Sequence, residues 1–299
     1  MRLAAAVALI SLAAAPVCAQ SVTVPFDPHG GSVALDLVVD GRPLVMLLDT
    51  GVDPSVVDLE TARALGLPLD GPAGAAEGVG DGDAAITPVT VRDLRLGDLG
   101  VPAVEAVAMD MAPLRARYGK PLDGVLGYSF LSSRIVLIDY IDDAVSVLDT
   151  TADAAAQTAV CRSSWRTPLV SFADDTIPVI PVRFGDVEGP ASIDTGSNGT
   201  IGLLQSGARL LDSRLTVTGE ARVTGARGAT TNAVVVLDAP VSFGPFVLPA
   251  GQTVRVRRDA GSPETRIANL GNGLFRALGL KMLLDYPAKQ MTFYGDCRA

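Results

Sequence analysis

Histidine is almost missing from this chain: His29 is the only one in 299 residues. It lies in a turn-like stretch, Asp27-Pro28-His29-Gly30-Gly31, ahead of the first expected strand and with no sequence partner, so it reads as structural. There is no Cys/His cluster at zinc-ligand spacing, no glycine loop leading a strand into a helix, and no Gly-x-Ser-x-Gly elbow. Serine, cysteine and zinc hydrolysis therefore lack their parts, and no metal or organic cofactor is expected. Basic residues are also short, 24 against 33 acids, for a net charge of −9. An acidic chain lacks the attraction that recruits nucleic acid or anionic lipid.

Long apolar runs are absent beyond the N-terminus, and Leu3–Ala15 is too short for a comfortable membrane span. With Arg2 before it and Val17-Cys18-Ala19 after it, the run reads as an export signal spanning 1–19, cleaved before Gln20. An uncleaved anchor or a lipid on Cys18 are the alternatives. The expected location is thus periplasmic or secreted, with no membrane span in the mature chain. Of three cysteines, Cys161 and Cys297 survive cleavage. In an oxidising compartment a bridge between them is expected, two free thiols being the alternative.

Carboxylates are what remain, and two of them sit in a repeated setting. Asp49-Thr50-Gly51 recurs as Asp194-Thr195-Gly196, each after an apolar run. At roughly 6% per residue type, a chain of this length holds only ~0.06 copies of such a tripeptide by chance. The surroundings repeat in step. Asp49 and Asp194 are 145 residues apart, Gly127 and Gly271 are 144 apart, and Asp139 and Asp285 are 146 apart. One offset kept at three landmarks points to two copies of one unit, read as 20–150 and 161–299 with a polar and alanine linker over 151–160.

Most of the mature chain reads as short strands with frequent turns. Val33–Val39 and Leu44–Leu48 flank Asp40-Gly41, a hairpin signal. The second unit repeats the plan, with Pro178–Phe184 as one arm, 185–189 as the loop and Pro190–Ile193 as the return. Asp58 caps an expected helix over Leu59–Leu65 that Gly66 stops. Hairpins are expected again at 134–148 and 280–294. Two glycine-rich stretches, from Gly71 to Asp83 and from Thr224 to Gly228, have little apolar surface to pin them and read as mobile.

Two aspartates facing each other across a short gap cannot both readily ionise, so they share one proton and straddle a water. The ionised partner takes a proton from that water as it attacks a carbonyl, and the protonated one supports the oxyanion and then the leaving nitrogen. Gly51 and Gly196 permit the tight turn, and the Thr50 and Thr195 hydroxyls are placed to lock the two loops together.

At this point the chain resembles the retropepsin-like aspartic proteases, in a two-domain exported form. Leu44 to Val52 is similar to that family's hydrophobic strand running into its catalytic Asp-Thr-Gly. Asp123-Gly124-Val125-Leu126-Gly127 and Ile267-Ala268-Asn269-Leu270-Gly271 resemble its second signature, with Asn269 in place of a hydrophobic residue. The resemblance implies an all-β fold of two homologous barrel-like lobes in one chain, related by a pseudo-twofold axis. It implies a catalytic dyad of Asp49 and Asp194, supported by Thr50, Gly51, Thr195, Gly196 and Ser197. Flaps over the cleft map to Gly78, Gly80 and Gly82 in one lobe and to Thr224, Gly225 and Gly228 in the other. The implied activity is endopeptidase action on extended polypeptide, by a monomer; a peptide binder that has lost efficient hydrolysis is the alternative.

Two further departures stand out. Val52 follows the first triplet where the family has Ala or Ser, whereas Ser197 follows the second. A hydroxyl donating to a carboxylate favours its charged form, so Asp194 is expected to be the ionised partner and Asp49 the protonated one. Tyr128 stands where an arginine partner for Asp53 is usual, leaving Asp53 solvated or otherwise paired.

Overall fold

The computed structural model describes residues 21–172, 176–257 and 265–297. The stretch 1–19 read as an export signal, with Cys18, lies outside the described residues. The fold is all-β and pepsin-like, with two lobes. A seven-stranded sheet comes from the first half of the chain, a nine-stranded sheet from the second, and a six-stranded sheet from both.

The first lobe begins with the expected hairpin. Ala34–Val39 pairs with Arg42–Leu48 across Asp40-Gly41, both at positive φ (48° and 74°), the geometry of a tight hairpin turn. Leu35, Leu37 and Val39 are buried, and Asp36 between them is exposed, because successive side chains on a strand face opposite ways. Arg42–Leu48 then lies parallel to Gly124–Leu126, which is buried throughout. Val38–Val39 also pairs with Leu94–Arg95 of the long strand Ala85–Leu96, closing the lobe into a barrel.

The second lobe repeats the order. Val179–Phe184 pairs with Val187–Ile193, which runs parallel to Ala268–Leu270. The connecting loop is only Gly185-Asp186; Val187, Glu188 and Gly189, expected in the loop, belong to the return strand. Closure is weaker here. Where the first lobe has one long strand, the second has Gly228–Leu237 and Val241–Phe243, broken around Pro240, which has no N–H for a ladder.

The remaining sheet joins the halves. Ile135–Asp139 and Lys281–Asp285 pair antiparallel at its centre, flanked by Ala144–Leu148 and Gln290–Gly295. Register sets Lys281 opposite Asp139 and Asp285 opposite Ile135. Lys281 is buried, its Nζ 2.5 Å from Asp139 Oδ2 and 2.9 Å from the Gln157 carbonyl. The stretch read as a linker is two helical turns, Thr151–Ala154 and Ala155–Thr158, started by a capping box between Thr150 and Asp153. Cys161 is joined to Cys297. The bridge ties the end of those turns to the end of the last strand, beside the Ser163–Pro168 and Gln290–Gly295 pairing. No helix among the described residues is long and apolar enough to cross a membrane.

Candidate active site

Each aspartate stands one residue beyond a buried strand. The Asp49 N–H donates to the Leu126 carbonyl (2.9 Å) and the Asp194 N–H to the Leu270 carbonyl (3.0 Å), so each loop is fixed to its lobe in the same way. Thr50 Oγ1 donates to the Ile193 carbonyl (2.7 Å) and accepts the Thr195 N–H (3.2 Å). Thr195 Oγ1 donates to the Leu48 carbonyl (2.8 Å) and accepts the Thr50 N–H (3.0 Å). Each hydroxyl is thus both donor and acceptor, and both threonines are buried. Four buried bonds across the lobe boundary hold two distant segments in one rigid unit.

That lattice brings the carboxylates together. The Gly196 N–H lies 3.0 Å from Asp49 Oδ1 and 3.0 Å from Asp194 Oδ1, so the two oxygens stand no further apart than twice that distance. Gly51 donates to Asp49 Oδ1 at 2.7 Å. A Cβ on Gly51 would stand 2.9 Å from Asp194 Oδ1, and one on Gly196 would collide with the Asp49 carboxyl. Glycine in each triplet is what lets the opposite acid approach.

The two acids differ in their surroundings. Asp49 is buried, 9% exposed, while Asp194 is half-buried. Burial first, and the neighbouring Asp194 charge second, push the Asp49 pKa up to about 8, against the lowering pull of the Gly51 and Gly196 N–H groups. Asp194 has more donors. Oδ1 accepts from the Ser197 N–H at 3.0 Å as well as from Gly196, and Oδ2 accepts from Asn269 Nδ2. Ser192 Oγ in turn donates to Asn269 Oδ1, fixing which way the amide points. Ser197 therefore reaches Asp194 through its backbone N–H, whereas the sequence reading had invoked its hydroxyl.

Asn269 was visible in the sequence only as a departure from an apolar triplet. A polar residue in a strand that is otherwise fully buried needs a partner, and that was the available signal. Asn272 was missed altogether. Its Nδ2 donates to the Thr195 carbonyl (2.7 Å) and its Oδ1 accepts from Tyr140 Oη (2.8 Å), bracing the second loop against the shared sheet. Asp53 accepts from Thr176 Oγ1 at 3.1 Å, a contact between the two halves of the chain. His29 bonds the Tyr118 carbonyl through Nε2 (2.8 Å) and packs edge-on against the Tyr118 ring.

The glycines assigned to flaps meet one another. Gly78, Gly80 and Gly82 lie in the loop between Gly74–Ala75 and Ala85–Leu96, a short flap. Thr224, Gly225 and Gly228 lie at the tip of a much longer hairpin, Leu215–Gly225 with Gly228–Leu237. The Arg227 N–H donates to the Val79 carbonyl (2.9 Å), the Gly82 N–H to the Arg227 carbonyl (2.8 Å), and Arg227 Nε to the Gly82 carbonyl (2.8 Å). Gly80, at φ +123°, leaves no room for a side chain beside the Arg227 backbone. Ala226, next along the second tip, packs with Val52, Ala76 and Ala84 on an apolar cluster of the first lobe built around Val56, Val107 and Val125. Val52 is thus part of this apolar surface.

Comparison with known proteins bears on the first lobe. The family described as aspartyl protease matches residues 35–130, which include Asp49 and the short flap. No curated protein matches the chain. A domain of that family supports a protease function in general terms. Through its first lobe, then, the chain is supported as a member of an aspartic protease family, retropepsin-like.

Proposed function

We propose that the protein is an aspartic endopeptidase in which Asp49 and Asp194 jointly activate one water. The observation that carries this reading is the single Gly196 N–H within 3.0 Å of both carboxylates, in a loop lattice that fixes their separation. Burial and the adjacent negative charge favour a proton on Asp49, and the donors around Asp194 favour a carboxylate there.

The roles follow. The Asp194 carboxylate takes a proton from the water as its oxygen bonds to the peptide carbonyl carbon. Asp49 gives its proton to the carbonyl oxygen, producing a neutral tetrahedral diol. On collapse Asp194 delivers its proton to the nitrogen, the C–N bond breaks, and Asp49 recovers a proton from one diol hydroxyl. The pair returns to its starting state without a cofactor. On this reading an extended polypeptide binds between dyad and flaps as an added strand. The three bonds at Arg227 must open to admit it. The same reading places the enzyme, as a monomer, outside the cytoplasm.

The test is hydrolysis of an unstructured protein from mildly acidic to neutral pH by wild type, Asp49→Asn and Asp194→Asn. Cleavage by wild type and by neither variant is expected. A wild type that binds peptides and cuts none removes the enzymatic reading and leaves a peptide-binding module. Activity retained in one variant removes the shared dyad.

A further inference from the structure

Strand register lays a matched row of residues across each lobe beside its aspartate. In the first lobe Leu47 stands beside Val125, Val125 opposite Val56, Val56 beside Val107, and Val107 opposite Pro88. In the second lobe the equivalent row is Ser192, Asn269, Gly202, Arg255 and Val234. The strands correspond one for one, but the chemistry does not. The first row is apolar throughout, and its Leu47, Val125, Val56 and Val107 belong to the cluster that receives Val52 and the Ala226 tip. The second carries an amide bonded to Asp194 and, two strands further on, a guanidinium, with the side-chain-free Gly202 between them.

Arg255 is not part of the core. Its neighbours Val254 and Val256 pack into the interior, so Arg255 faces the other side of the strand, the side shared with Asn269. A Cβ on Gly199 would stand 3.9 Å from Arg255 Nη1 and 4.0 Å from Ser197 Oγ, which places the guanidinium against the loop that follows Asp194-Thr195-Gly196. The side chain is half-buried, and among the described residues no acid pairs with it. A guanidinium partly withdrawn from water and lacking a counter-ion favours a ligand that brings one, and its planar fork matches a carboxylate.

We propose that Arg255 is a specificity residue that receives the carboxylate of an Asp or Glu side chain next to the scissile bond, while the partly buried Leu47 and Val52, packed on the Val56, Val107 and Val125 cluster, receive an apolar side chain. The preferred substrate is then a polypeptide with an acidic residue adjoining an apolar one. This rests on the endopeptidase reading, because the row is placed in the cleft by its contact with Asp194.

Peptides of equal length test it, each with leucine on one side of the cut and Glu, Gln or Lys on the other, in both orders. Wild type should cut one Glu order with kcat/KM on the order of tenfold above its Gln isostere, with the Lys peptide lowest. Arg255→Ala should bring the Glu rate down to that of its Gln isostere. Arg255→Glu should reverse the order in favour of Lys, an outcome that loss of packing alone does not produce. Equal rates for Glu and Gln in both orders, or an Arg255→Glu enzyme that still prefers Glu, overturn the proposal while leaving the protease reading intact. If no peptide is cut, binding to the Asp49→Asn protein decides. A Glu preference there keeps the subsite and removes the protease, and equal affinities remove both.

Discussion

Asp49 and Asp194 close equivalent strands, precede equivalent Thr-Gly pairs and are bound by backbone N–H groups of the same loops, yet only Asp49 is buried. The first lobe surrounds its acid with Val52, Val125 and a closed barrel; the second surrounds its acid with Ser197, Asn269 and a barrel broken near Pro240. The difference shows what fusing two copies permits. The backbone near the centre has to stay symmetric, because the Thr50–Thr195 lattice needs both halves. Side chains one shell out are free to diverge, and once they do, the two carboxylates are no longer interchangeable. A proton that two identical surroundings would share evenly acquires a preferred site.

Removing either acid is the strongest way to break the comparison. Asp49→Asn and Asp194→Asn should each lower kcat by about 10²–10⁴-fold, measured on one unstructured substrate. Both losses should be of the same order, since in the proposed mechanism each acid performs half of one proton cycle. A variant within tenfold of wild type would mean that the two are not a unit.

The shared sheet offers the next test, on stability. Its central register places Asp139 opposite Lys281 and the equivalent Asp285 opposite Ile135, so one buried acid has a lysine and its counterpart has none. Asp285 accepts the Ala288 N–H (2.9 Å), and Asp139 those of Ile141 and Asp142 (2.9 and 3.1 Å). Lys281→Ile would make the two halves alike and leave Asp139 as a buried charge without its cation. The expected loss is about 3–5 kcal/mol in denaturant unfolding. A loss below 1 kcal/mol would show that the turn N–H groups suffice on both sides.

How much of this was legible depends on which residues set it. The duplicated triplets and their common offset marked the two loops that meet and the threonines that join them, because those depend on backbone positions that the repeat marks. Asp58 and Gly66 marked a helix, found as Leu59–Ala64 with Asp58 accepting the Glu60 and Thr61 N–H groups. What the sequence obscured was register. Nothing in Gln252-Thr253-Val254-Arg255-Val256 says which strand it lies beside, so Arg255 gave no sign of standing near Asn269. Val187, Glu188 and Gly189 look like loop residues because polar and glycine content mimics a turn, yet pairing with Arg183 and its neighbours makes them strand. Ser197 was read through its hydroxyl, the only feature that distinguishes it from Val52 in sequence, whereas the contact to Asp194 is the backbone N–H that any residue has.

The burial of Asp49 also makes a pH prediction. Its pKa rises from an ordinary 3.8 to about 8, so between those values the folded chain holds a proton that the unfolded chain has released. Stability from this group therefore falls as pH rises through that window, by up to about 1.4 kcal/mol per unit, with the penalty complete above the upper value. Asp49→Asn removes the ionisation and should flatten this part of the profile. The difference between their unfolding curves reports the Asp49–Asp194 pair, because removing one charge also changes the surroundings of the other. Parallel curves would mean that Asp49 is not the protonated partner.

The finest comparison asks whether the donors around Asp194 give it the carboxylate role proposed for it. Asn269→Val gives the second lobe the residue the first has at Val125 and removes the Nδ2–H donor from Asp194 Oδ2. Losing a donor to the charged form makes the pair harder to ionise, so the acid limb of the pH–activity profile should move to higher pH. On that limb kcat should fall about tenfold, with KM little changed, because the lost contact is to the reacting acid. Ser197→Ala removes a hydroxyl but keeps the N–H that reaches Asp194 Oδ1, and its profile should stay within about twofold of wild type. The order of the two effects is the discriminating result. A larger shift from Ser197→Ala would return the asymmetry to the hydroxyl, and no shift from either would leave burial of Asp49 as its whole cause.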